Sequence, residues 1–210
     1  MARVKAGDVV VNPVTRERMV FRKTPQDTGG ELLQFDHWLE AGGLGPPPHL
    51  HPKQEERFLC VSGTMGVLRG KDKVTLHPGE EIIVPPNTVH TWWNAGTEEL
   101  YQITEFRPAR RFDAFMVLLA ALGRAGKQKT DRVTIPYLLQ FALLSGTHTD
   151  TVYVAHPPVW MQKLLYPTVL GPLARLLGYK GDYTEEDRLT QPGVTPVLPP
   201  TTSRLLEKVR

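Results

Sequence analysis

A chain of 210 residues holds one domain with an appendage, or two small domains, and is too short for a large repeat array. Hydrophobic residues make up 40% and charged residues 22%, which suits a packed core and excludes an apolar-poor disordered chain. The net charge of +3 is mild, and the local basic excess of Arg107, Arg110, Arg111, Arg124, Lys127, Lys129 and Arg132 reads as a solvated face, so no nucleic-acid partner is expected.

The 18 glycines and 19 prolines exceed the average combined share of roughly 12%, an excess that favours tight turns over long helices. Apolar alternation over short runs, punctuated by Gly, Pro and Asn, predicts strands over 8–12, 17–23, 31–40, 56–62, 64–69, 73–77, 80–84, 89–94 and 100–106. So many short strands imply a β-sandwich or barrel. Near Pro108 the texture changes. Phe112, Phe115, Met116, Leu119 and Leu122 recur at helical spacing, and the same period suits 137–144 and 160–177. The expected division is a β-barrel over 1–107, a helical extension over 108–180 and a Pro-rich irregular tail over 181–210.

Cys60 is the only cysteine, so an intramolecular disulfide is excluded and a reducing compartment is expected. The N-terminal MARVKAGDVV lacks the apolar run of a signal peptide. The uncharged stretch 133–149 is broken by Pro136, Gly146 and His148 and is too short to cross a bilayer. The expectation is a cytoplasmic protein without a membrane partner.

Two segments carry the chemistry. His49 and His51 are two residues apart, so on a strand both side chains leave one face and can converge on one ion. A carboxylate follows, and a third histidine, His90, lies on a different predicted strand. Strict alternation from His51 selects Glu55, but Pro52 can reset the register where the next strand starts. Within that strand the face of Glu56 continues with Phe58 and Cys60, whereas the face of Glu55 continues with Arg57, which is costly to bury unpaired. Glu56 is the inward residue on this count.

These positions resemble the two motifs of the cupin superfamily. Gly43, His49, His51, Glu56 and Gly63 meet the first, and Gly79, Pro85, His90 and Asn94 meet the second. Asn87 stands where the second motif has glycine, and asparagine tolerates the left-handed backbone a turn there requires. The resemblance covers about residues 30–107 and implies a mainly β fold, the double-stranded β-helix or jelly-roll barrel. It further implies that His49, His51, Glu56 and His90 bind one divalent metal, with Fe(II) the first expectation and Mn, Ni, Co, Zn or Cu also accepted by such a donor set. Three neutral imidazoles and one carboxylate would leave a divalent ion a residual charge of +1, and an octahedral ion would keep two positions open. The plain alternative is a histidine cluster that only fills a barrel.

Alternation also points Phe58, Cys60, Met65 and Trp92 inward beside these residues, so they are expected to form an apolar substrate pocket or else ordinary barrel core. Trp93 should face the opposite side and pack against the helical extension or another subunit. His37, His77, His148 and His156 are most simply surface or turn residues, although His37, on a strand before the first motif, can reach the mouth of the pocket. The resulting expectation is a metal-dependent dioxygenase, similar to quercetinase-like cupins, acting on a small aromatic or enolisable substrate with O2. Glu56 would serve as ligand and proton acceptor. The alternatives are a non-redox lyase, isomerase or polyketide-type cyclase, and a small-molecule binding module without turnover. The Leu-, Phe- and Met-rich helices after Pro108 are expected to cover the barrel's open end or build a dimer contact, and the resemblance implies a homodimer.

Overall fold

The computed structural model describes residues 4–43, 45–124, 134–147 and 151–180. The first hairpin is β1 (Val9–Asn12) with β2 (Glu17–Lys23), followed by β3 (Leu33–Leu39), the two-residue β4 (His49–Leu50), β5 (Glu55–Ser62), β6 (Met65–Arg69), β7 (Asp72–Leu76), β8 (Glu81–Val84), β9 (His90–Asn94) and β10 (Leu100–Arg107). These strands and β11 (Tyr153–Val154) form two antiparallel sheets. One runs β1-β2-β3-β10-β5-β8 and the other β11-β4-β9-β6-β7. The fold is a mainly β two-sheet barrel with C-terminal helices, the architecture the resemblance implies, and the predicted strands fall within one or two residues of these elements.

The helical part comprises α1 (Phe112–Arg124), α2 (Ile135–Thr147), α3 (Val159–Leu165) and α4 (Gly171–Leu176), the last two joined by a π-helical segment over Tyr166–Leu170. The single period read over 160–177 is therefore interrupted. Pro167, at the start of that segment, has no N–H to donate, and Gly171 N–H reaches back five residues to the Tyr166 carbonyl. In α1, Asp113 in the first turn and Arg124 in the last suit the helix dipole, and Arg124 also donates to the Val11 carbonyl at 3.0 Å, tying α1 to β1.

The extension expected to be helical also contributes a strand. Tyr153 and Val154 pair with Leu50 and His49, so the chain beyond residue 107 completes a barrel sheet. One apolar cluster accordingly joins Phe21, Phe35 and Phe106 of the barrel with Phe112, Phe115 and Phe141 of α1 and α2.

Three further expectations meet the structure with different outcomes. Trp93 does face away from Trp92, but its ring lies over Gly66, where a Cβ would approach it to 2.2 Å, with Lys73 Nζ 5.5 Å from the ring. Among the described residues, the outward face of β6 and β7 thus supports it. Asn87 has φ 62°, the left-handed conformation, with its N–H bonded to the His51 carbonyl at 2.8 Å. His37 is a buried residue of a central strand, whereas His77 and His156 are exposed. His148, Lys127, Lys129, Arg132 and the tail over 181–210 lie outside the described residues. Among the described residues, no helix is long and apolar enough to cross a membrane.

Candidate metal centre

Local pairing brings the four predicted donors together. His49 lies on β4, whose register places it opposite His90 at the start of β9, and His51 follows one residue beyond the strand. Glu56 reaches the same point from β5 in the facing sheet, with Val84 opposite it on β8. One ligand atom from each of His49, His51, Glu56 and His90 lies within 4.8 Å of the others, and all four residues are buried. Glu56 rather than Glu55 turns inward, while Arg57, facing outward, pairs with Glu81 and with Glu105.

Backbone carbonyls fix the three imidazoles. Nδ1–H of His49 donates to the Pro47 carbonyl at 3.0 Å, that of His51 to the Thr151 carbonyl at 2.6 Å, and that of His90 to the Thr88 carbonyl at 2.9 Å. A carbonyl only accepts, so each bond holds a proton on Nδ1 and directs Nε2 toward the shared point. Such a second hydrogen bond is what orients a metal-ligating histidine.

The electrostatics agree with a ligand set. Burial pushes the Glu56 carboxyl upward, but the polar contacts and charges of His51 and His90 outweigh it and hold the group well below the usual carboxylate range. Burial, followed by the neighbouring His90 and His51, drives His49 well below its ordinary value and keeps it neutral. Burial also opposes a charge on His90, yet the hydrogen bond to Glu56 Oε2 at 2.6 Å raises it. His51 Nε2 is buried, 3.4 Å from Glu56 Oε2, and has no hydrogen-bond partner. A buried, aimed and unsatisfied nitrogen within a set of two or more N/O donors fits a divalent first-row cation.

His49 and Glu56 border a cavity with about 750 Å³ of free space, part of it open to solvent. Its apolar wall combines Phe35, Trp92 and Phe106 of the barrel with Phe112, Phe115 and Met116 of α1 and Phe141 of α2. The helices therefore close over the barrel mouth. Of the four predicted pocket residues, only Trp92 lines this space. Phe58, Cys60 and Met65 are fully buried with Leu39, Val67, Leu76 and Leu100, where they fill the opposite end of the barrel. Burial, reinforced by the charge of Glu80, pushes the Cys60 thiol up to about 11. It is a small core hydrophobe and not a reactive group.

His37, which the sequence allows to reach the mouth of the pocket, does line the cavity, as does Glu17, which sequence reasoning misses, with Thr15, Thr104 and Tyr137 nearby. The direction of His37 is hard to read because all seven residues of β3 are buried, which erases the alternation that marks a face, whereas Glu17 opens β2, whose alternation places it on the inward side with Met19 and Phe21.

Residues 37–103 match the cupin domain family model, and this segment carries most of the barrel strands and the motif positions described above. Among curated proteins the chain is 27% identical over 191 residues to a protein of Hypocrea virens named "Probable oxidoreductase virH", covering 83% of this chain and 84% of that protein. It is 24% identical over 132 residues to the oxidoreductase iacF of Pestalotiopsis fici, covering 59% and 65%, and 35% identical over 65 residues to a germin-like protein of Arabidopsis thaliana, covering 28% and 30%. The chain spans less than two thirds of the latter two. Among solved structures, KdgF from Halomonas sp. aligns over 54% of this chain and 97% of its own with 18% identity and a TM-score of 0.45. An RmlC-like cupin from Shewanella frigidimarina aligns over 54% and 99%, with 19% identity and the same TM-score.

Proposed function

We propose that the protein is a mononuclear metal-dependent dioxygenase acting on a small aromatic or enolisable substrate. The observation that carries this reading is the convergence of three backbone-anchored imidazoles and one ionised carboxylate at the wall of an aromatic-lined cavity. The two fungal relatives named as oxidoreductases support it, and the alignment with virH, covering 83% of the chain, extends beyond the residues of the cupin domain.

His49, His51, Glu56 and His90 would hold the ion. A redox-active divalent cation held there would supply Lewis acidity toward an enol or phenol oxygen and the capacity to exchange electrons with dioxygen. The chain's own residues do the rest. Phe106, Phe112 and Phe115 present apolar surface to a flat ring, and α1 and α2 limit the access of water. Glu56 Oε2 stands 2.6 Å from His90 Nε2, and in this reading the carboxylate serves both as ligand and as acceptor for a substrate proton. We further propose that the chain forms a homodimer.

The test is elemental analysis of protein purified without a metal-binding tag, followed by oxygen uptake with iron, manganese, nickel and cobalt forms offered flavonols, diketones and catechols. Oxygen consumption with one class supports the reading. Its absence in every combination overturns it, and turnover under anaerobic conditions with zinc assigns the site to non-redox chemistry instead.

A further inference from the structure

A second polar pair stands in the cavity wall apart from the four donors. Glu17 on β2 and His37 on β3 are 6% and 3% exposed, and His37 Nε2 lies 3.6 Å from Glu17 Oε1. That gap is too long for a hydrogen bond, and Nε2 has no other partner. The opposite ring nitrogen fixes the tautomer. Gln102 Nε2 lies 3.3 Å from His37 Nδ1 and can only donate, so Nδ1 accepts and the ring proton sits on Nε2. The other Glu17 oxygen, Oε2, accepts from Thr15 Oγ1 at 2.7 Å, which leaves Oε1 turned toward His37.

The pair therefore presents one donor and one acceptor, too far apart to satisfy each other and close enough for one oxygen to bridge. A hydroxyl meets both needs, since it accepts one hydrogen bond and donates another. Buried polar groups in a native protein are normally paired, so an unpartnered His37 N–H beside a cavity points to a ligand. Thr104 Oγ1, buried and equally without a partner, lines the same space. The surroundings are aromatic: the Trp92 ring meets His37 edge-on at 5.0 Å and Phe35 lies 5.5 Å away.

We propose that Glu17 and His37 form a specificity site for the hydroxyl of a hydroxylated aromatic molecule, which accepts from His37 Nε2–H and donates to Glu17 Oε1. This rests on the cavity being the substrate site, as inferred above, and narrows the substrate to phenol-type compounds. The matched probes are 2-naphthol and 2-methoxynaphthalene, whose ether oxygen accepts but cannot donate. Both are titrated into the full chain with its metal as purified, following probe fluorescence.

Wild type is expected to bind the naphthol at least roughly tenfold more tightly than the ether. Glu17→Leu and His37→Phe should each bring that ratio within about twofold while metal content stays at the wild-type level. His49→Ala should lose metal and keep the ratio. Equal binding of the two probes by wild type overturns the proposal without further variants. So does a preference that survives both cavity substitutions and disappears in His49→Ala, because the hydroxyl then belongs to the four-donor cluster. Protein that holds no metal yet discriminates the probes supports this site and sinks the metal-centre reading alone.

Discussion

The two ends of the barrel are built from the same alternating strands and are used in opposite ways. At one end Phe58, Cys60, Met65, Val67 and Leu100 meet in the middle and leave no room. At the other, Phe35 and Phe106 stack along one wall with ring centroids 6.2 Å apart, and α1 and α2 roof the free space beside them with Phe112, Phe115 and Phe141. An inward side chain is thus only half a description. Whether it packs or lines free space depends on what faces it, and at the hollow end the facing residues come from far along the chain. The four donors sit on the hollow side, so binding and stability should be separable properties of the two ends.

The strongest challenge to that separation is His49→Ala. It should lower affinity for a divalent ion by at least about 100-fold, read by elemental analysis after dialysis, while the metal-free melting temperature stays within a few degrees of the parent. A collapse in melting temperature would mean that the histidine cluster holds the barrel together. Next comes a contrast of aromatic truncations. Phe58→Ala should cost about 3–5 kcal/mol in urea unfolding, because it opens a void in close-packed surroundings. Phe115→Ala should cost no more than about 2 kcal/mol, since its ring already borders free volume, and should weaken aromatic probe binding instead. Equal costs would erase the distinction between the ends.

A smaller effect concerns Cys60. Its folded thiol is pushed up to about 11 against an ordinary value of 9.0, so the folded state retains a proton that the unfolded state releases. The stability this contributes is intact below pH 9 and declines as pH rises toward 11. The urea midpoint of wild type should therefore fall more between pH 8 and pH 10 than that of Cys60→Ala, and parallel declines would contradict the assignment. The smallest change is expected for Asn87→Gly. Both residues accept φ 62°, so the stability difference should stay under about 1 kcal/mol, whereas Asn87→Val should cost about 1–2 kcal/mol.

The donor set was legible because its signals are local. His49 and His51 share a face by spacing, and the choice of Glu56 over Glu55 followed from the cost of burying Arg57. The pocket was not legible for the opposite reason. Phe35, Phe106, Phe115 and Phe141 come from four elements whose meeting depends on topology, and nothing in their immediate neighbours in sequence separates them from core residues such as Phe58. His37 was obscured by a central strand flanked by β2 and β10 and buried on both faces. The strand at Tyr153 escaped notice because two residues give no period, and its pairing with β4 is a long-range event.

The hydrogen bond from His51 to the Thr151 carbonyl joins a donor in the first cupin motif to a residue 100 positions later. A chain cut short at the end of β10 would retain every liganding side chain and still chelate poorly, because one imidazole would be free to rotate. Ion capture and docking of the distal polypeptide are in this way reciprocally linked: whatever strips the ion should loosen the segment around residue 151, and whatever peels that segment away should release the ion.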